Sequence, residues 1–158
     1  MTTQVRPMTA SDLDAVTSLA SGSAGAPLWT RQIYEDAIGR EESSALVAVD
    51  GEVIAGFAIA EQVLDIGQLE SIVVSESFRR QGIGSTLLQG VIDWSRSRNC
   101  CRLELEVRAG NGGAITLYEQ AGFLRDGLRH AYYRNPEEDA VLMSLNLDLS
   151  AKTVEKNP

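Results

Sequence analysis

The sequence predicts a layered α/β domain built on a mixed, mostly antiparallel sheet. Three observations predict it. Apolar residues recur at helical spacing in three stretches. Between them lie short β-branched runs, one pair flanking Asp50-Gly51, a strong hairpin signal. A long helical stretch then separates two strands, as in a right-handed crossover between parallel neighbours.

The elements follow in order. Val5 to Met8 reads as a first strand. Thr9-x-x-Asp12 suits a helix start, with Leu13, Val16, Leu19 and Ala20 on one face. Gly22 to Pro27 breaks that helix. Thr30 caps a second helix with Ile33, Ala37 and Ile38 on one face, ending at Gly39. Ala45 to Val49, Val53 to Leu64 and Leu69 to Val74 are strands. A helix from about Gly82 to Ser97 presents Leu87, Leu88, Val91, Ile92 and Trp94. Arg102 to Arg108 alternates, with Leu103, Leu105 and Val107 on one side and Glu104, Glu106 and Arg108 on the other. Ala114 to Gln120 is a short helix ended by Gly122, and Phe123 to Tyr132 and Ala140 to Leu149 are the closing strands. One domain over residues 1–149 is expected, with a loose tail over 150–158.

Composition narrows the function. The 158 residues carry a net charge of −8. That disfavours direct nucleic-acid binding through a basic face and fits a cationic substrate, although an acidic surface also serves simply to keep a protein soluble. No apolar run is long enough to span a bilayer and no signal peptide opens the chain, so a cytoplasmic protein without a membrane partner is expected. Adjacent Cys100 and Cys101 form neither a disulfide framework nor a zinc pattern. The single histidine, His130, is expected to be structural or solvent-facing. No metal site is expected.

One loop carries the clearest chemistry. Between the strand ending Ile72-Val73-Val74 and the long helix lies Arg79-Arg80-Gln81-Gly82-Ile83-Gly84-Ser85. The glycines let the backbone turn and approach a ligand, and unpaired N–H groups of the first helical turn form an anion site with the positive end of the helix. The P-loop motif is absent, and the dinucleotide fingerprint lacks its third glycine, at Leu87.

Arg79-x-x-Gly82-x-Gly84 resembles the Q/R-x-x-G-x-G/A signature of the GNAT superfamily of acetyltransferases. Leu105-Glu106-Val107-Arg108 through Asn111, Ala114, Leu117-Tyr118-Glu119 and Gly122-Phe123 is similar to a block of its protein N-terminal acetyltransferases. Ala55-Gly56-Phe57-Ala58-Ile59, Tyr132-Tyr133 and Glu138-Asp139-Ala140-Val141-Leu142-Met143 also match. The resemblance runs from about Pro27 to Leu147. Gly110 stands where Ser is common, and Gly112-Gly113 loosens the start of the short helix.

The resemblance implies the GNAT fold, with helices on both faces of the sheet, and acetyl-CoA as cosubstrate. Arg79, Arg80, Gln81, Gly82, Ile83, Gly84 and Ser85 would cradle its pyrophosphate. Main-chain groups of Ile72, Val73 and Val74 would hold the pantetheine and acetyl carbonyl where two strands splay, and Asn111 would contact coenzyme A. Glu106 would be the general base, Tyr118 the general acid, and Tyr132 and Tyr133, on a loop between the last strands, would wall the acceptor peptide. The implied acceptor is an N-terminal α-amine, that of an Ala on a small-subunit ribosomal protein. Another N-terminus, a small amine, or a non-catalytic coenzyme A sensor are the alternatives.

Overall fold

The computed structural model describes residues 3–23 and 26–147. The expected tail over 150–158 and the end of the last expected strand lie outside them. The element order is β1 (Gln4–Pro7), α1 (Leu13–Ser21), α2 (Arg31–Ile38), β2 (Ser43–Asp50), β3 (Val53–Val63), β4 (Ile66–Val74), α3 (Ile83–Ser97), β5 (Arg102–Arg108), α4 (Gly112–Gln120), β6 (Leu124–Tyr133) and β7 (Glu138–Asn146). Short 3-10 turns at Ala10–Asp12 and Glu76–Phe78 precede α1 and α3. The strands form a seven-stranded, mostly antiparallel sheet in the order β1-β2-β3-β4-β5-β7-β6. By its contacts the chain divides into two compact units, one of residues up to Glu61 with Leu69–Trp94, the other of Gln62–Gln68 with Ser95 onward. Among the described residues no helix is long and apolar enough to cross a membrane.

In the first unit, β2 pairs antiparallel with β1 and β3. Asp50 pairs with Val53, so Gly51 and Glu52 form a two-residue turn, and Gly51 takes the positive φ (62°) that such turns require. One core gathers Leu13, Val16 and Ala20 of α1, Tyr34 and Ala37 of α2, and Val47, Phe57, Ile59 and Val73 of the strands. Ile33, expected inward on α2, is exposed. Tyr34 takes the inner place, edge-on to Phe57 with ring centres 5.7 Å apart. Burying the larger ring decides the rotation of this helix.

Asp12 fixes the entry to α1. Its buried carboxylate accepts from Arg6 Nη1 at 2.7 Å and Nη2 at 2.9 Å, and from the Thr9 N–H at 2.8 Å. The Arg6 hydrogen bonds, aided by that of Thr9, hold the Asp12 carboxyl down to about 2 against burial. A pKa depressed on folding stabilises above the unfolded value near 4 and loses that stabilisation as pH falls toward 2. Asp12→Asn is expected to cost about 2 kcal/mol at pH 7 and far less near pH 2.5, as read from urea midpoints at the two pH values.

In the second unit, the start of β4 runs parallel to β5, with Ile66 opposite Arg102 and Gln68 opposite Glu104. β5 pairs antiparallel with β7 along its whole length, and β7 with β6. Leu103, Leu105 and Val107 are buried, so the predicted alternation of β5 holds.

Candidate active site

In the first unit, β4 ends at Val74 and the chain crosses a 3-10 turn before α3. Val73 is buried, while Ile72 and Val74 are half-buried. Arg80 and Gly82 both take left-handed backbone, at φ 65° and 79°. Together they curl the chain into the helix, with Arg79, Arg80, Gln81 and Gly82 exposed. Arg80 pays strain for this conformation, while Gly82 does not. Ile83 is buried and anchors the first turn, while Ser85 is exposed. The Thr86 N–H donates to the Gly82 carbonyl at 3.1 Å. The N–H groups of Ile83, Gly84 and Ser85 therefore precede the helical ladder and point out of the helix end, suited to an anion. Beyond the loop, Gly56 on β3 has a role that sequence reading did not expose. A Cβ there would lie 2.6 Å from the Val73 carbonyl oxygen, so only glycine allows this approach to β4.

In the second unit, Glu106 stands on the polar side of β5. Arg129 Nη1 lies 3.6 Å from its Oε1, and the Arg129 guanidinium sits 5.0 Å from the Tyr132 ring centre. A hydrogen bond to Glu106 is the main cause holding the Tyr132 phenol above its ordinary pKa. Glu104, on the same side of β5, instead faces Arg102 at 3.3 Å. Tyr118 is buried on α4, with its ring 5.8 Å from that of Phe123. Burial, with a smaller contribution from Tyr133, pushes its phenol up to about 12. Asn111 caps α4, its Oδ1 accepting from the Ala114 N–H at 3.2 Å.

Tyr132 and Tyr133 correct the expectation of a loop, since both belong to β6 and end that strand. The register of β6 against β7 shifts between Arg129 and Tyr133, and this bulge carries the strand onward to include both rings. The rings meet edge-on at 5.1 Å, and Arg108 stacks 4.4 Å over Tyr133. Sequence reading also passed over Arg108, Arg129 and Glu138 as site residues. Their charges on alternating strand positions were the available signal, but their partners are distant in sequence.

Cys100 and Cys101 lie in the connection between α3 and β5. Burial raises both thiol pKa values, and Asp65 adds to the rise at Cys101. Neither has the lowered pKa of an activated nucleophile. His130 faces solvent, 3.4 Å from Asp139.

One unit thus presents the exposed turn that opens α3, and the other a carboxylate at Glu106 and a buried phenol at Tyr118. The chain matches the acetyltransferase (GNAT) family over residues 13–123. It belongs to that family and is an acetyltransferase. It is 36% identical over 123 residues to the [ribosomal protein bS18]-alanine N-acetyltransferase of Escherichia coli K12, covering 77% of this chain and 82% of that one. The crystal structure of the ribosomal-protein-S18-alanine N-acetyltransferase from Escherichia coli superposes with a TM-score of 0.82 at 32% identity, over 92% of this chain and 94% of that one. Arabidopsis thaliana NAA60 in complex with acetyl-CoA shares the fold, with a TM-score of 0.84 at 22% identity over 92% and 100%.

Proposed function

We propose that this chain transfers the acetyl group of acetyl-CoA to the N-terminal α-amine of a protein, and that the acceptor is the Ala of a small-subunit ribosomal protein in the cytoplasm. The observation that carries this reading is the presence, in one unit, of a solvent-facing carboxylate at Glu106 and a buried, protonated phenol at Tyr118. The similarity to enzymes named for ribosomal alanine acetylation supports the choice of acceptor. The net charge of −8 suits a cationic N-terminus. We read residues 1–149 as a single acetyltransferase domain, with 150–158 as its tail.

In this reading Glu106 takes a proton from the α-ammonium, directly or through water. The neutral amine forms its N–C bond at the thioester carbonyl, with backbone N–H groups of Ile72–Val74 receiving the developing oxyanion. The C–S bond then breaks, Tyr118 donates its proton to the departing sulfur, and the nitrogen sheds its second proton, which returns to the Tyr118 oxygen through water while Glu106 releases the first to solvent. No covalent enzyme intermediate is needed. Arg79 to Ser85 bind the pyrophosphate, Asn111 contacts coenzyme A, and Tyr132 and Tyr133 receive the peptide.

Turnover of acetyl-CoA with an Ala-starting peptide of the ribosomal acceptor, beside peptides with other first residues and simple amines, tests the reading. Acetylation of the Ala peptide with the highest kcat/KM is expected. A preference for another amine overturns the acceptor, and binding without turnover overturns catalysis. Gly84→Val is expected to weaken acetyl-CoA at least about 10-fold by calorimetry, as a branched side chain enters the anion-binding turn. Unchanged affinity in the folded variant removes the loop from the site.

A further inference from the structure

Glu138 opens β7, and its carboxylate reaches back to the end of β5. Oε2 accepts the N–H of Gly110, and Oε1 lies 3.3 Å from Arg108 Nη1. Both side chains are about three-quarters buried, with exposures of 26% and 24%. The same Arg108 nitrogen donates to the Pro136 carbonyl at 3.2 Å, and its guanidinium lies over Tyr133. Gly110 directly precedes Asn111, whose side chain caps α4, the helix of Tyr118. A Cβ at residue 110 would come within 2.6 Å of Oε2. Glycine in this place therefore lets the carboxylate close onto the backbone.

We propose that Glu138 is a positioning residue with two separable arms, one holding the Gly110–Asn111 turn for coenzyme A and the other holding Arg108 against the Tyr133 ring for the acceptor peptide. This inference rests on the assignment of Asn111 and Tyr133 given above. The physical case is that charge-assisted bonds from a carboxylate are stronger than neutral ones, and that removing the carboxylate leaves a largely buried guanidinium without its ion partner. Arg108 then loses its fixed place against the ring. The Gly110 N–H loses its acceptor, and the turn that aims Asn111 loosens.

Three variants separate the arms. Glu138→Ala removes both, so the acetyl-CoA Kd and the peptide KM should each rise about 10-fold, with kcat within about 2-fold of wild type. Arg108→Met keeps the apolar stem and removes only the second arm. It should raise the peptide KM and leave the acetyl-CoA Kd unchanged. Glu138→Gln keeps an acceptor for Gly110, so acetyl-CoA affinity should return to near wild type while the peptide KM stays raised. Amide exchange at Gly110 should quicken in Glu138→Ala alone. The proposal is overturned if Ala and Gln behave alike, if kcat falls with both affinities unchanged, or if only thermal stability changes. Wild type run in parallel separates this from the functional reading. Wild type that binds acetyl-CoA yet acetylates no peptide refutes the acceptor assignment and the peptide arm. The contrast of Ala and Gln in acetyl-CoA affinity then still decides the first arm. Wild type that binds no acetyl-CoA overturns both readings.

Discussion

Tyr118→Phe is expected to lower kcat roughly 10²–10⁴-fold while leaving acetyl-CoA affinity near wild type. The substitution keeps the ring against Phe123 and removes only the hydroxyl. Burial pushes the Tyr118 phenol up to about 12, so the proton is fully present at any neutral assay pH. A phenol of such high pKa is a poor match for a thiolate with an ordinary thiol pKa near 8.5. Its contribution must come from being held close to the sulfur as charge develops, which places the expected loss toward the lower end of that range. The same shift means that ionisation of Tyr118 causes no loss of rate on the alkaline side up to about pH 10. Steady-state kinetics of the Phe variant, with calorimetric acetyl-CoA binding, checks both statements. Wild-type turnover would leave Tyr118 as packing alone.

Glu106→Gln is expected to reduce kcat/KM most at low pH and to recover partly as pH rises past the amine pKa near 8. Below that value the acceptor is an ammonium that must lose a proton before it attacks, and the Gln amide cannot take it. Above it the free amine is abundant and the base matters less. Removing the charge also breaks the contact with Arg129 at 3.6 Å. That second effect is the loss of a contact, whereas the pH dependence follows the acceptor amine. The slope of the pH–rate profile therefore isolates the proton transfer. Glu104→Gln is the control. It lies on the same side of β5, roughly 6.5–7 Å away by strand geometry, and faces Arg102 instead. If Glu104→Gln is the pH-sensitive variant, the base is misassigned. If neither is, no carboxylate of this strand deprotonates the substrate.

Much of the fold was legible because local rules governed it. The alternation of β5, the Asp50-Gly51 hairpin and the apolar stripe Leu87, Leu88, Val91, Ile92 on α3 each follow from a backbone period or a required φ. Asn111 capped its helix as its residue type suggests. Local rules failed where two solutions were nearly equal. On α2, Ile33 and Tyr34 compete for the interior, and Phe57 on a distant strand decided for Tyr34. At the end of β6, turn-like residues follow Tyr133, but the bulge against β7 kept both tyrosines in the strand.

The sequence by itself determined the order of elements, a glycine-permitted turn before α3, and the side of β5 on which Glu106 stands, since each depends on neighbours within one turn or one strand. Tertiary structure alone decided the electrostatics of the candidate site. The high pKa of Tyr118, the Arg129 contact of Glu106, and the reach of Glu138 to Gly110 and Arg108 across about thirty residues all arise from burial and charge brought together by pairing of β5, β6 and β7. Burial and Coulomb energy depend on distances in space, and a strand pairing is what converts distance along the chain into contact.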